Sequence, residues 1–198
     1  MTAGRGITHS ERTPANLRDR ETGLHGIQTW IALPEADEET DPAFYHHDAT
    51  DLPTWQENGV SITLIAGQTA GYTSPVETFS PMLYLDMVLP AETHVTLPND
   101  YLEQAIYTVT GSLTLDGEPL TSQRLAVLTP GQPVTLAAQT EARCVVIGGA
   151  PVGTRYKWWN FVSSRPERIE QAKADWQAGR FAGVPQESEF IPLPENIL

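Results

Sequence analysis

The sequence predicts an all-β protein, a sandwich or barrel of short strands followed by a single C-terminal helix. Three observations lead there. From residue 58 onward, apolar and polar residues alternate in short runs separated by turn residues. Sixteen prolines and fifteen glycines are scattered rather than clustered, as many short elements joined by turns require. Only after Ser164 does the apolar period lengthen from that of a strand to that of a helix.

Taken in order, the first strand is expected at residues 26–33, ended by Pro34. Residues 35–41 follow with five acidic side chains in seven, which predicts a solvated, mobile surface loop. Val60, Ile62 and Leu64 alternate with Ser61, Thr63 and Ile65, the pattern of a half-buried strand. Leu83, Leu85, Met87 and Leu89 alternate with Tyr84, Asp86 and Val88. Residues 105–109 lead to Gly111, and 113–115 meet Asp116-Gly117, a strong tight-turn pair. Residues 125–128 run into Thr129-Pro130-Gly131-Gln132, a turn of another type, and 134–136 and 143–147 follow. Residues 83–148 thus read as one small barrel. A helix is expected over about 165–178. Ser164 and Glu167 have capping-box spacing, Pro166 falls in the first turn, and Gly179 stands where a C-terminal cap belongs. Ile169, Ala172 and Trp176 share one face, which should pack on a barrel. Prolines keep the tail extended.

Twelve basic and 25 acidic residues leave a formal net charge of −13, while 40% of the 198 residues are hydrophobic. This is a globular composition of one large or two small domains. The acidity excludes a nucleic-acid backbone and an anionic membrane surface as partners. No stretch approaches the roughly 18 apolar residues of a membrane helix. The first residues lack the apolar core of a signal peptide. Cys144 is the single cysteine, so no intrachain disulfide forms. The expected compartment is the cytoplasm.

The chain lacks a phosphate-cradling glycine loop, a nucleophile-elbow serine and a two-cysteine zinc pair. Cys144 lies in an apolar strand pattern and reads as a buried small hydrophobe. His46 and His47 are adjacent and would point to opposite faces of an extended chain. His25 and His94 have no carboxylate or histidine two residues on. His9 differs, because Ile7, His9 and Glu11 share one face of an extended segment, so His9 and Glu11 could ligate one metal. They supply two donors where a catalytic site normally needs three or more.

The residues Gly4-Arg5-Gly6-Ile7-Thr8-His9-Ser10-Glu11 resemble the end of the N-terminal cupin barrel of the pirin family. The resemblance continues through residues 23–34, returns at Pro81-Met82-Leu83-Tyr84-Leu85-Asp86, and closes with Trp158-Trp159-Asn160-Phe161 and Phe190-Ile191-Pro192-Leu193-Pro194. It implies a bicupin, two β-barrels in one chain, with a first barrel that is incomplete here. The implied division is a remnant of the N-terminal cupin domain over 1–34, a connecting segment with the acidic loop and a strand over 35–82, the C-terminal cupin domain over 83–188, and an extended tail over 189–198.

In pirins an H-x-H strand and a later H-x-E hold a metal, typically iron, through three histidines and a glutamate. His9 and Glu11 match the second pair, and this chain contains no H-x-H. Met1 stands where pirins carry an internal methionine. Residues 99–104, where a cupin would place histidines, contain none, in keeping with a metal-free second barrel. Opening a barrel exposes strand edges. The resemblance therefore implies weak binding of iron or another divalent metal, and self-association through the incomplete barrel. For function it implies a metal-dependent dioxygenase of quercetinase type acting on a small aromatic substrate when the first barrel is complete. The alternatives are a non-catalytic regulator with a protein partner, or an inactive truncated remnant.

Overall fold

The computed structural model describes residues 1–13, 15–19, 23, 25–97 and 101–195. Leu24, within the resemblance, Asn99 and Asp100, in the region searched for cupin histidines, and residues 196–198 of the tail lie outside the described residues. The chain divides into two compact units, one of residues 46–151 and one of residues 1–45 with 152–198.

The 46–151 unit is a two-sheet β barrel. Its strands are β1 (Thr54–Glu57), β2 (Val60–Thr69), β3 (Tyr72–Thr73), β4 (Met82–Leu89), β5 (Thr93–Leu97), β6 (Glu103–Thr110), β7 (Ser112–Leu115), β8 (Glu118–Thr121), β9 (Leu125–Val127), β10 (Val134–Ala138) and β11 (Ala142–Gly149). The larger sheet runs β1-β2-β4-β11-β6-β9, with β3 paired to β2, and the smaller runs β5-β10-β7-β8. All their pairings are antiparallel. One face of each sheet supplies the core, where Leu64, Met87, Ile106, Val146, Val95, Leu113 and Leu136 sit at 2% exposure or less. Alternation puts these residues inside, since successive side chains on a strand point to opposite faces. Asp116 and Gly117 both take positive φ in the β7–β8 hairpin, as a two-residue primed turn requires.

This barrel begins earlier than the expected boundary at 83. β2 pairs with β4 from Ser61↔Val88 to Gly67↔Leu83, so the strand assigned to a connecting segment is an interior member of the sheet. The sequence shows that such a strand exists; which neighbour it joins depends on ladder hydrogen bonds formed only on folding. Gly67 lets this ladder form: at φ +85, its α-hydrogen side faces the Met82 carbonyl, which a Cβ would meet at 1.8 Å.

The other unit contains β12 (Tyr156–Trp158), β13 (Phe161–Ser163) and α1 (Pro166–Gln177). β12 and β13 form a hairpin against which α1 packs, and Ile169 and Ala172 are buried. Trp159, Phe161, Trp176, Phe181 and Phe190 form a chain of ring contacts with centroids 5.2 to 6.0 Å apart. The helix ends as the sequence predicts: Gly179 at φ +65 donates to Trp176 O, and Arg180 N donates to Asp175 O, a Schellman cap. Its start is corrected by one residue. Arg165 is the N-cap, Pro166 is the first helical residue, and the side chain of Ser164 makes no cap. The Ser164 hydroxyl instead donates to Glu38, a partner that outcompetes the backbone because it is charged.

Two further expectations are corrected here. Residues 26–33 form no strand, and Ile27, Trp30 and Ile31 are about half exposed. Strand pattern alone does not make a strand: no described segment offers these residues a ladder of hydrogen bonds. Residues 35–41 are also not a loose loop. Glu35–Asp37 form a 3-10 turn, and the carboxylates that follow are bound.

Candidate functional site

His9 and Glu11 lie on an irregular segment with a period of two. Thr8 Oγ1 donates to Ala182 O, Ser10 Oγ to Glu187 Oε1 at 3.2 Å, and Arg12 Nε to the same oxygen at 3.0 Å. Arg12 also bonds Glu189, and the two carboxylates raise the pKa of its guanidinium. The even-numbered side chains are thus tied to residues 182–189. His9 and Glu11 fall between them and are exposed. Among the described residues, no group of three or more His, Cys, Asp or Glu could hold a metal ion. His25, His46 and His94 are exposed, His47 is half-buried, and His46 Nε2 lies 3.0 Å from Asp48 Oδ1.

The interior of the 46–151 barrel offers neutral groups. Gln104, Ile106 and Thr108 share the inner face of β6, with Gln104 3% and Thr108 0% exposed. Thr108 Oγ1 has no partner among the described residues, and Cys144 of β11 is its register neighbour. Burial pushes the Cys144 thiol up to about 12, with the Asp86 charge adding to the shift, so it stays protonated at neutral pH. An amide, a hydroxyl and a protonated thiol are poor donors for iron. The expectation of Cys144 as a buried hydrophobe therefore stands. β6's alternation was the available signal for Gln104 and Thr108, since every second residue from 104 faces inward.

The best-organised ionic cluster among the described residues is one that local sequence patterns do not announce. Glu38 Oε1 lies 2.7 Å from Arg155 Nε, and each side chain is about 10% exposed. Glu38 also accepts from Ser163 Oγ at 2.9 Å, Ser164 N at 2.8 Å and Ser164 Oγ at 3.0 Å. Arg155 Nη2 donates to Leu33 O at 2.7 Å and Nη1 to Val152 O at 2.8 Å. Glu39 receives Arg165 Nη2 and Arg168 Nε, each at 2.8 Å, and Asp41 pairs with Arg5. With both partners paired and hydrogen-bonded, the cluster is structural rather than catalytic. Local spacing carries no signal for it, because its members come from three distant stretches of chain.

A model of the pirin C-terminal cupin domain matches residues 84–182. A pirin-like protein of Caulobacter vibrioides is 44% identical over 98% of this chain, which spans 68% of that protein. A Pseudomonas aeruginosa protein provisionally named quercetin 2,3-dioxygenase is 38% identical over 90% of this chain and 56% of its own length. The crystal structure of a quercetin 2,3-dioxygenase from Acinetobacter baumannii superposes with a TM-score of 0.75 at 29% identity, covering 85% of this chain and 57% of that one. The chain thus spans roughly two thirds or less of the length of these relatives.

Proposed function

The chain belongs to the pirin family of cupin proteins, and on that premise we propose that His9 and Glu11 are two ligands of a divalent-metal centre, iron in the first instance. The observation that supports it is their shared exposure on a segment whose alternate side chains, Thr8, Ser10 and Arg12, are all held elsewhere. Such a face is open for further donors. Two side chains leave most of a coordination sphere to water. The described residues therefore do not fit a retained metal by themselves.

The completed centre would act on a flavonol such as quercetin, as the names of two relatives suggest for those proteins. The absence of a third donor among the described residues favours a second reading, in which this chain is a non-catalytic module. Anaerobic loading of the 198-residue chain with Fe(II), dialysis, metal analysis and oxygen uptake with quercetin separate the two. The expected result is substoichiometric iron and no quercetin-dependent uptake. Stoichiometric iron lost on His9→Ala or Glu11→Ala, with uptake lost alongside, would overturn the non-catalytic reading.

A further inference from the structure

The edge strand β9 is left unused by the metal reading and is independent of it. β9 ends the larger sheet, and no strand among the described residues pairs with its far side. It is tied to β6 by Leu128 N donating to Gln104 O at 2.8 Å and Thr108 N donating to Arg124 O at 3.0 Å. In an antiparallel ladder alternate residues bond to the same neighbour. The main-chain N–H and C=O of Leu125 and Val127 therefore face away from β6. Their side chains are apolar and 61% and 76% exposed. Edges are usually blunted by charge, proline or cover, and Leu125-Ala126-Val127 contains neither charge nor proline. Beside it opens a groove of about 410 Å³, where Leu115, Val127, Leu128 and Val134 are apolar and Asp116 is the one charged lining residue.

Charge selects the occupant. Residues 46–151 carry eleven acidic side chains against two basic ones, Arg124 and Arg143, a formal net of −9. Arg143 is already engaged by Asp86 through two hydrogen bonds of 2.8 Å, and the other, Arg124, is exposed immediately before β9, so the attraction for a basic segment lies at the Asp116 end of the groove. A second copy would bring like charge to the same edge. We propose that the β9 edge and its groove receive an extended, basic segment of a partner protein, added to the sheet as a further strand. An apolar side chain of the segment seats in the groove and a lysine or arginine lies near Asp116. Main-chain hydrogen bonds would supply affinity, and alternate side chains would supply specificity.

The test uses the full chain and a fluorescein-labelled decapeptide of alternating valine and lysine, read by anisotropy. Saturable binding is expected, weakening as salt rises. A peptide of the same sequence with an N-methylated backbone keeps the charge but cannot pair as a strand, and should bind at least about tenfold more weakly. Val127→Pro removes an N–H that faces away from β6 and has no strand partner among the described residues, and should weaken binding equally without lowering the melting temperature. Leu125→Lys, which leaves the backbone intact, should weaken it through like charge. The alternating valine–glutamate peptide should not bind. Equal binding of the N-methylated peptide would overturn the proposal in favour of bulk charge. Binding unaffected by both variants would overturn it in favour of another surface. A concentration-dependent dimer abolished by Val127→Pro would assign the edge to a second copy.

Discussion

Glu38 and Arg155 meet at 2.7 Å with each side chain about 10% exposed, and between them they tie residues 33–38 to the β12–β13 hairpin. Removing one member of a buried pair leaves the other charged and uncompensated, at a cost of about 3–5 kcal/mol. Glu38→Ala is expected to lower unfolding stability by about 3 kcal/mol in denaturant titration. Glu38→Gln with Arg155→Met should recover much of the loss, because no buried charge remains. A loss below about 1 kcal/mol in the single variant would show that the pair is solvent-screened.

Gly67 and Gly71 both have positive φ, at +85 and +81. Alanine at Gly71 meets nothing within 4 Å and should cost only the backbone strain, about 1 kcal/mol. Alanine at Gly67 adds a collision with the Met82 carbonyl and must displace the β2–β4 ladder. Its cost should exceed about 3 kcal/mol. Parallel thermal melts of the two variants check the contrast, and equal costs would refute it.

Cys144 should resist a soluble disulfide reagent at pH 8 in the native chain and react at once in denaturant. Its folded pKa is raised above the ordinary value of 9.0 to about 12. The contribution to stability is fully present below pH 9 and is lost as pH rises from 9 through about 12. The expected slope is about 1.4 kcal/mol per pH unit in that window. Cys144→Ala should flatten it; an unchanged slope in the variant would assign the alkaline loss to other groups.

Arg143 and Asp86 form a bidentate pair with the carboxylate 19% and the guanidinium 46% exposed. Asp86 raises the Arg143 pKa through the hydrogen bond, against a smaller desolvation that lowers it. Lysine cannot reproduce the fork. Arg143→Lys is therefore expected to cost about 0.5–1 kcal/mol at low salt and less at 1 M salt. A salt-independent difference would point to lost packing of the side-chain stem.

Much of the barrel was legible beforehand because its signals are local. β6 and β10 alternate throughout and β4 alternates from Leu85 to Leu89, so their inner residues could be named from spacing, whereas Tyr84 and Val145 are buried in a second cluster that spacing did not mark. Asp116-Gly117 marked its hairpin and Gly179 its cap, since both motifs depend on backbone conformation within a few residues. The short strand β5 went unseen, as Thr93–Leu97 has only Val95 and Leu97 to declare an inner face. Of the candidate site, His9 and Glu11 were legible from an H-x-E spacing and a family resemblance. Their exposure and the shortage of further donors among the described residues were not.

The amino-acid sequence by itself determined an acidic, strand-rich chain of the pirin family, with its turns, helix end and inner residues in place. Those properties follow from composition and from patterns a few residues long. Tertiary structure decided what each segment met. It made the strand at Val60–Thr69 an interior member of the barrel sheet, left residues 26–33 outside any strand, and turned Glu38 and Glu39 from a solvated loop into the ionic anchor of the hairpin and helix. A carboxylate looks solvated in sequence because its preference for water is local. Arg155, Arg165 and Arg168 can replace that water only after the chain has brought them within hydrogen-bonding reach.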